Sequence, residues 1–316
     1  MTEEEHEGNW YILLHGIELE SDVMQLAPGL SLVKLNEELT VFDLAAAGSV
    51  GMWGWSMLEP FASGCKCEME SAADASKSPG YDALGRAWLA SAMLTLLGFG
   101  QHRALAASAY PWSVIAGHQK RTAGQFREQL IEEWVESAVN RPRRELPRFK
   151  GRVLESDFKM LFVQEVKEPI VTQAECDWIR DNFDKFDDLA AKSKAFNFGL
   201  MAAVEWRHLG NFRAAMAMIW SGIEAVIDVQ SELAYRLSVV AASLLCGRGE
   251  ERIKKYRLIR DLYSLRSKAV HGEELDEPEM AVGVAESFQL LRALLVRQVE
   301  RGKVFTREDM NEAVLG

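Results

Sequence analysis

The chain has 316 residues, 48% of them apolar and 26% charged, with a formal net charge of −11. These are the proportions of an ordinary globular protein, and they exclude a disordered tail, a collagen-like fibre and a disulfide scaffold. The negative excess also excludes a general polyanion binder, so any nucleic-acid contact has to come from a local basic site.

Four cysteines, Cys65, Cys67, Cys176 and Cys246, fit free thiols in a reducing compartment. Residues 1–5, Met-Thr-Glu-Glu-Glu, are acidic where a signal peptide would be basic. Uncharged apolar stretches such as 87–100 and 44–58 fall short of the roughly 18–20 residues that span a bilayer. A cytoplasmic protein with no membrane partner is expected.

Strand-like runs come first, at residues 10–14, 30–35 and 38–44, with Pro28-Gly29 as a turn signal. Glycine and tryptophan crowd residues 48–55, as suits a tight irregular segment or a sheet edge. Residues 81–97 are apolar at helical spacing, and 125–139 form a clearer amphipathic pattern. Residues 1–140 therefore read as a mixed α/β domain, regulatory or recognition in role. In the first hundred residues acids outnumber bases several-fold. Two roles are open to that acidity: covering a basic cleft until a regulatory partner or trigger binds, or keeping a separate recognition domain in solution.

Residues 141–171 read as a linker. Pro142 and Pro147 exclude a continuing helix, and residues 141–152 carry six basic side chains against one acidic. The strip is either a solvated connector or a set of phosphate contacts beside a nucleic-acid site.

From residue 172 the apolar period becomes 3.6. Thr172-Gln173-Ala174-Glu175 is a capping box, opening a helix with Ile179, Phe183 and Phe186 on one face. Helices follow over 198–209, 211–229 (Trp220, Ile223 and Ile227 inward) and 231–246, the last capped by Gly247. Two more cover 250–271, closed by Gly272, and 277–300, with Val284, Phe288, Leu291 and Leu295 inward. Short connections predict antiparallel neighbours, so residues 172–316 read as an all-α bundle. The fold class expected for the whole chain is α+β.

The helix over 250–271 departs from a simple core pattern. Tyr256, Ile259, Tyr263, Arg266 and Val270 recur at spacings of three and four, beside a second stripe of Leu258, Leu262, Leu265 and Ala269. Arg266 thus falls where the period marks a buried side, and an arginine there needs a partner or an anionic ligand. His271 sits five residues on, about 140° away around an ideal helix. One copy of the helix does not aim both side chains at one atom unless its end unwinds or a second copy supplies the other. The helix C-terminus and the adjacent Glu273 and Glu274 favour a protonated imidazole, which suits a general acid.

The string Leu262-Tyr263-Ser264-Leu265-Arg266-Ser267-Lys268-Ala269-Val270-His271-Gly272 resembles the signature helix of HEPN domains, particularly the Apea-like HEPN group. Upstream, residues 220–227, Trp-Ser-Gly-Ile-Glu-Ala-Val-Ile, are similar to the group's earlier helix, and residues 232–237 to the segment after it. The resemblance covers roughly residues 172–305. It implies an HEPN-like helical bundle that forms a homodimer and cuts RNA without a metal or cofactor through Arg-x4–6-His, as a toxin or antiphage-defence effector. A catalytically silent sensor or scaffold that binds RNA or a partner protein is the alternative. Carried onto this chain, His271 handles the proton and Arg266 holds the phosphate. Ser267 and Lys268 orient or attract it, beside Tyr263. Glu224 either orients His271 or Arg266 or serves as a structural ion-pair partner.

Other motifs point to no chemistry. Cys65-x-Cys67 supplies two soft ligands with no matching pair, which reads as free thiols. Gly48-x-x-Gly51-x-x-Gly54 lacks the Lys-Ser/Thr of a phosphate loop. Trp178, Trp206 and Trp220 sit at core spacing and read as packing.

Overall fold

The computed structural model describes residues 8–40, 43, 61–73, 82–100, 102–117, 154–155, 169–228 and 233–316. The glycine-rich segment at 48–55, the helix expected over 125–139 and the basic strip at 141–152 lie outside the described residues.

Five strands build most of the N-terminal sheet: β1 (Trp10–His15), β3 (Val23–Ala27), β4 (Leu30–Lys34), β5 (Cys65–Ser71) and β6 (Arg103–Ser108). A short β7 (Leu154–Glu155) completes the order β3-β4-β5-β1-β6-β7, with every neighbour antiparallel. The strand expected over 38–44 does not form in its described part. Thr40 Oγ1 instead accepts from the Asp43 N–H at 3.2 Å, while the Asp43 carboxylate accepts from the Thr40 N–H at 3.0 Å. That reciprocal pairing satisfies helix-start donors and turns the chain helical at Asp43.

Helix α1 (Ala83–Leu96) is capped by the Asp82 side chain and lies on the sheet. Helix α2 is the single turn Trp112–Ile115. Its first N–H groups, on Trp112 and Ser113, donate at 2.5 and 3.3 Å to Glu68, whose carboxylate is buried in β5. Burial raises the Glu68 pKa, and those donors oppose the rise.

The helical half follows as expected. The capping box forms at Thr172, where the Thr172 N–H reaches Glu175 at 2.8 Å and opens α3 (Gln173–Lys192). Then come α4 (Lys194–Glu205), a 3-10 turn at Trp206–His208, α5 (Phe212–Ile227), α6 (Leu233–Leu245), α7 (Glu250–His271) and α8 (Glu277–Arg301). Gly272 and Gly302 close α7 and α8 in the left-handed region at φ 80° and 66°. Gly247 plays no such part: α6 ends at Leu245, and the left-handed glycine of that loop is Gly249, which precedes α7. A last helix, α9 (Arg307–Leu315), starts on a second capping box at Thr306 and Asp309.

Helices α4 and α5 cross where a Cβ on Gly222 would lie 2.7 Å from the Ala202 Cβ, so only glycine allows that approach. Helices α5 and α8, neighbours in space but not in sequence, run in the same direction. Trp220 Nε1 donates to Ser287 Oγ at 3.0 Å, and a Cβ on Gly222 would meet Leu291 one turn further along.

Sheet and helices share one apolar core, running from Ile12 and Leu14 through Leu89 and Met93 to Phe183, Trp220 and Leu291. Polar ties reinforce the join. β2 (Glu18–Leu19) pairs in parallel with β8 (Ile170–Val171), and Glu20 accepts from the Gln173 N–H at 2.7 Å. Arg207 donates to the Gly100 carbonyl at 2.6 Å, and Arg292 donates to that of Leu96. Among the described residues no helix is long and apolar enough to cross a membrane.

His102, fully buried at the start of β6, faces α1. Its Nδ1 lies 2.5 Å from the Phe99 carbonyl, and its Nε2 lies 2.8 Å from Ser91 Oγ. Burial, with the nearby Arg207 charge, pushes its pKa down to about 3. The folded chain therefore keeps His102 neutral in a range where the unfolded chain takes up a proton. Stability is unaffected above about pH 6.5 and falls as the pH drops from there towards 3. The urea midpoint should fall between pH 7.5 and 5.0 by the equivalent of about 2 kcal/mol. In His102→Gln that slope should flatten; an equally steep slope in the variant would show that His102 is not its source.

Candidate functional site

Arg266 and Glu224 meet across the seam between α7 and α5. The guanidinium Nη2 lies 3.2 Å from Glu224 Oε1, with the two side chains 23% and 25% exposed. Each is thus held at the edge of the core and not within it. The stripe of α7 that goes fully inward is Ile259, Leu262, Leu265 and Ala269. Val270, expected beside Arg266 on the buried side, is 51% exposed. The helix has turned by one position relative to the five-residue stripe read from the sequence, and this brings Arg266 out to the rim.

Helical spacing builds the support beneath the pair. Trp220 and Glu224 are one turn apart on α5, and Tyr263 and Arg266 one turn apart on α7. The rings of Trp220 and Tyr263 meet edge to face at 5.3 Å, and the Arg266 guanidinium carbon lies 5.5 Å from the Tyr263 ring centre. Trp220 is buried and tied to Ser287, so the stack runs from the core outward to the charge. Arg266 Nε and Glu224 Oε1 are both enclosed, and neither has a hydrogen-bond partner among the described residues. The carboxylate offsets the arginine charge without satisfying all of its donors.

His271 stands at the last residue of α7 and is exposed. Among the described residues no hydrogen bond or ion pair joins it to Arg266 or Glu224. Ser267 is half-buried and Lys268 exposed, on the turn between them. A single chain therefore brings Arg266, Tyr263 and Glu224 together and leaves His271 apart, as the 140° separation requires.

Arg213, which no sequence pattern singled out, fixes the end of α7. It donates to the Ala269 carbonyl at 2.8 Å and to the Glu273 carbonyl at 2.5 Å. The Gly272 and Glu273 N–H groups both return to the Lys268 carbonyl, so the turn carrying His271 is closed from both sides. A guanidinium placed there also complements the negative end of the helix dipole.

The remaining candidates are structural. Cys65, Cys67 and Cys176 are buried free thiols. Burial pushes Cys65 and Cys176 up to about 12 and raises Cys67 as well, so none supplies a thiolate near neutral pH. Trp206 and Trp220 are buried in the core and Trp178 packs against it. Among the described residues no group of three His, Cys, Asp or Glu side chains is placed to hold a metal ion. No protein-family model, curated protein or solved structure matches the chain.

Proposed function

We propose that this chain is an endoribonuclease of the HEPN type, a toxin or antiphage-defence effector that cuts RNA through Arg266 and His271 without a metal. The observation that carries the reading is Arg266 itself. An arginine held at the rim on an aromatic stack, its side chain 23% exposed, can present the outer edge of its guanidinium to an oxyanion. It stands on the same helix end as an exposed histidine and Lys268.

The chemistry follows from those residue types. A ribose 2′-hydroxyl attacks the adjacent phosphorus as the bond to the 5′-oxygen breaks. One imidazole takes the hydroxyl proton and another protonates the departing oxygen. Charge gathers on the phosphoryl oxygens, where the Arg266 guanidinium binds it and Lys268 adds to the field. In this mechanism the two imidazoles come from two copies of the chain, in a homodimer whose cleft is shared.

The test is the product. Purified full-length chain should cut RNA in the presence of a metal chelator, leaving a 2′,3′-cyclic phosphate and a 5′-hydroxyl. Strict dependence on added Mg²⁺ or Mn²⁺ would overturn the mechanism. One observation favours the second reading, a silent scaffold that binds RNA or a partner protein: Arg266 already has a carboxylate partner in Glu224. RNA binding without any cleavage would decide for it.

A further inference from the structure

A cavity of about 280 Å³ lies between α1 and the sheet, far from Arg266 in sequence and on the other half of the fold. Its origin is compositional. Ala104 and Ala107 of β6 face Ala87 and Ser91 of α1, where larger side chains would have met. Interiors normally close to about 0.74 packing density, and here the small side chains leave an open cleft instead. Leu84, Trp88, Ser91 and Ala104 are only part-buried, so they mark the side reached from solvent.

The lining is apolar except for Ser91 and the indole N–H of Trp88. The state of its hydroxyl follows from His102. A carbonyl only accepts, so the contact at 2.5 Å between His102 Nδ1 and Phe99 O puts the ring proton on Nδ1. The imidazole is neutral, so Nε2 is a bare acceptor, and the Ser91 hydroxyl at 2.8 Å must donate to it. The Ser91 proton is thereby spent, and its oxygen meets the cavity as an acceptor. The rest of the wall is alkyl apart from the Trp88 indole, whose N–H is a donor.

We infer that this cavity is a binding site for a small, neutral, apolar molecule carrying one hydrogen-bond donor, an aromatic N–H or a hydroxyl. A carboxylate or other ion finds no counter-charge among the lining residues, and a ketone leaves the Ser91 oxygen unmatched, so both are disfavoured. The pair does not act as a nucleophile and base. Burial lowers the basicity of the His102 imidazole, which opposes proton transfer from Ser91, so binding is the role inferred for the site.

Indole and benzofuran test the inference, because they share a shape and differ in one atom, a ring N–H donor against a ring oxygen. Titrated calorimetrically into the full-length protein, indole should bind saturably at one site, about five- to tenfold more tightly than benzofuran. Ala104→Leu, which fills the cavity from a part-exposed position, should weaken indole at least about tenfold while the far-ultraviolet spectrum stays unchanged. Equal affinities, benzofuran ahead of indole, or no saturable binding of indole at millimolar concentration would each overturn the proposal. So would unchanged indole affinity in a folded Ala104→Leu chain. Should that variant fail to fold, the indole and benzofuran comparison on the unaltered chain decides alone. RNA cleavage is not read in any arm, so this result stands or falls apart from the ribonuclease reading.

Discussion

His271→Ala in the full-length chain is expected to lower RNA cleavage by roughly 10²–10⁴-fold, the scale of a lost general acid or base. The same change should leave stability within about 0.5 kcal/mol, because the ring is exposed and unbonded among the described residues. Arg266→Ala should cost comparable activity but also about 1–2 kcal/mol of stability, since it strands Glu224 at a site only a quarter exposed. Glu224→Gln separates the two roles of the arginine. If Arg266 binds phosphate, that variant keeps cleaving; if Arg266 is only the partner of Glu224, the variant loses what Arg266→Ala loses. Mixing His271→Ala chains with Arg266→Ala chains should restore part of the activity, because one chain alone holds Arg266 against α5 and His271 off the helix end. Full cleavage by His271→Ala would end the ribonuclease reading.

The largest stability effect is expected at Trp220. Its side chain is fully buried, backs the Tyr263 ring and bonds Ser287. Trp220→Ala should cost about 3–5 kcal/mol, by lost burial and the void left behind. That corresponds to a fall in melting temperature on the order of 10 °C. Trp220→Phe refills most of the volume and forgoes the hydrogen bond, so about 1 kcal/mol of its loss should come from Ser287. Urea unfolding followed by circular dichroism measures both. A cost below 1 kcal/mol for Trp220→Ala would mean that the α5–α8 seam closes over the gap.

The helices were legible because each carries a period and a stop: Thr172 with Glu175 at one start, Gly272 and a final polar turn at one end. The sheet was only partly so. Strand β6, Arg-Ala-Leu-Ala-Ala-Ser, is poor in β-branched residues, and its pairing with β1 and β7 overrides local preference. Strand β5 carries Glu68 inward, and the N–H groups that accommodate it lie 44 and 45 residues away. At the candidate site, Arg266 was found because it breaks an apolar stripe, and Glu224 only because residues 220–227 resemble the HEPN group's earlier helix. Arg213 was not, because it works through backbone carbonyls, which leave no trace in composition. The Ser91 and His102 pair was hidden for a related reason. It joins two elements through a tautomer that only the Phe99 carbonyl fixes.

The parallel pairing of Glu18–Leu19 with Ile170–Val171 spans 152 positions of sequence. A ribosome adding about 5–20 residues per second needs roughly 8–30 s to deliver the second strand after the first. For that interval the edge of β2 is unpaired and the α3 face that will cover β3 does not yet exist. Loop closure over such a distance is slow to nucleate, so this two-stranded pairing, separate from the six-stranded sheet, forms only when residues 170–171 arrive. Until residue 171 emerges, the nascent chain carries Glu18–Leu19 without its partner strand and β3 without α3, the two places where it is most open to aggregation and proteolysis.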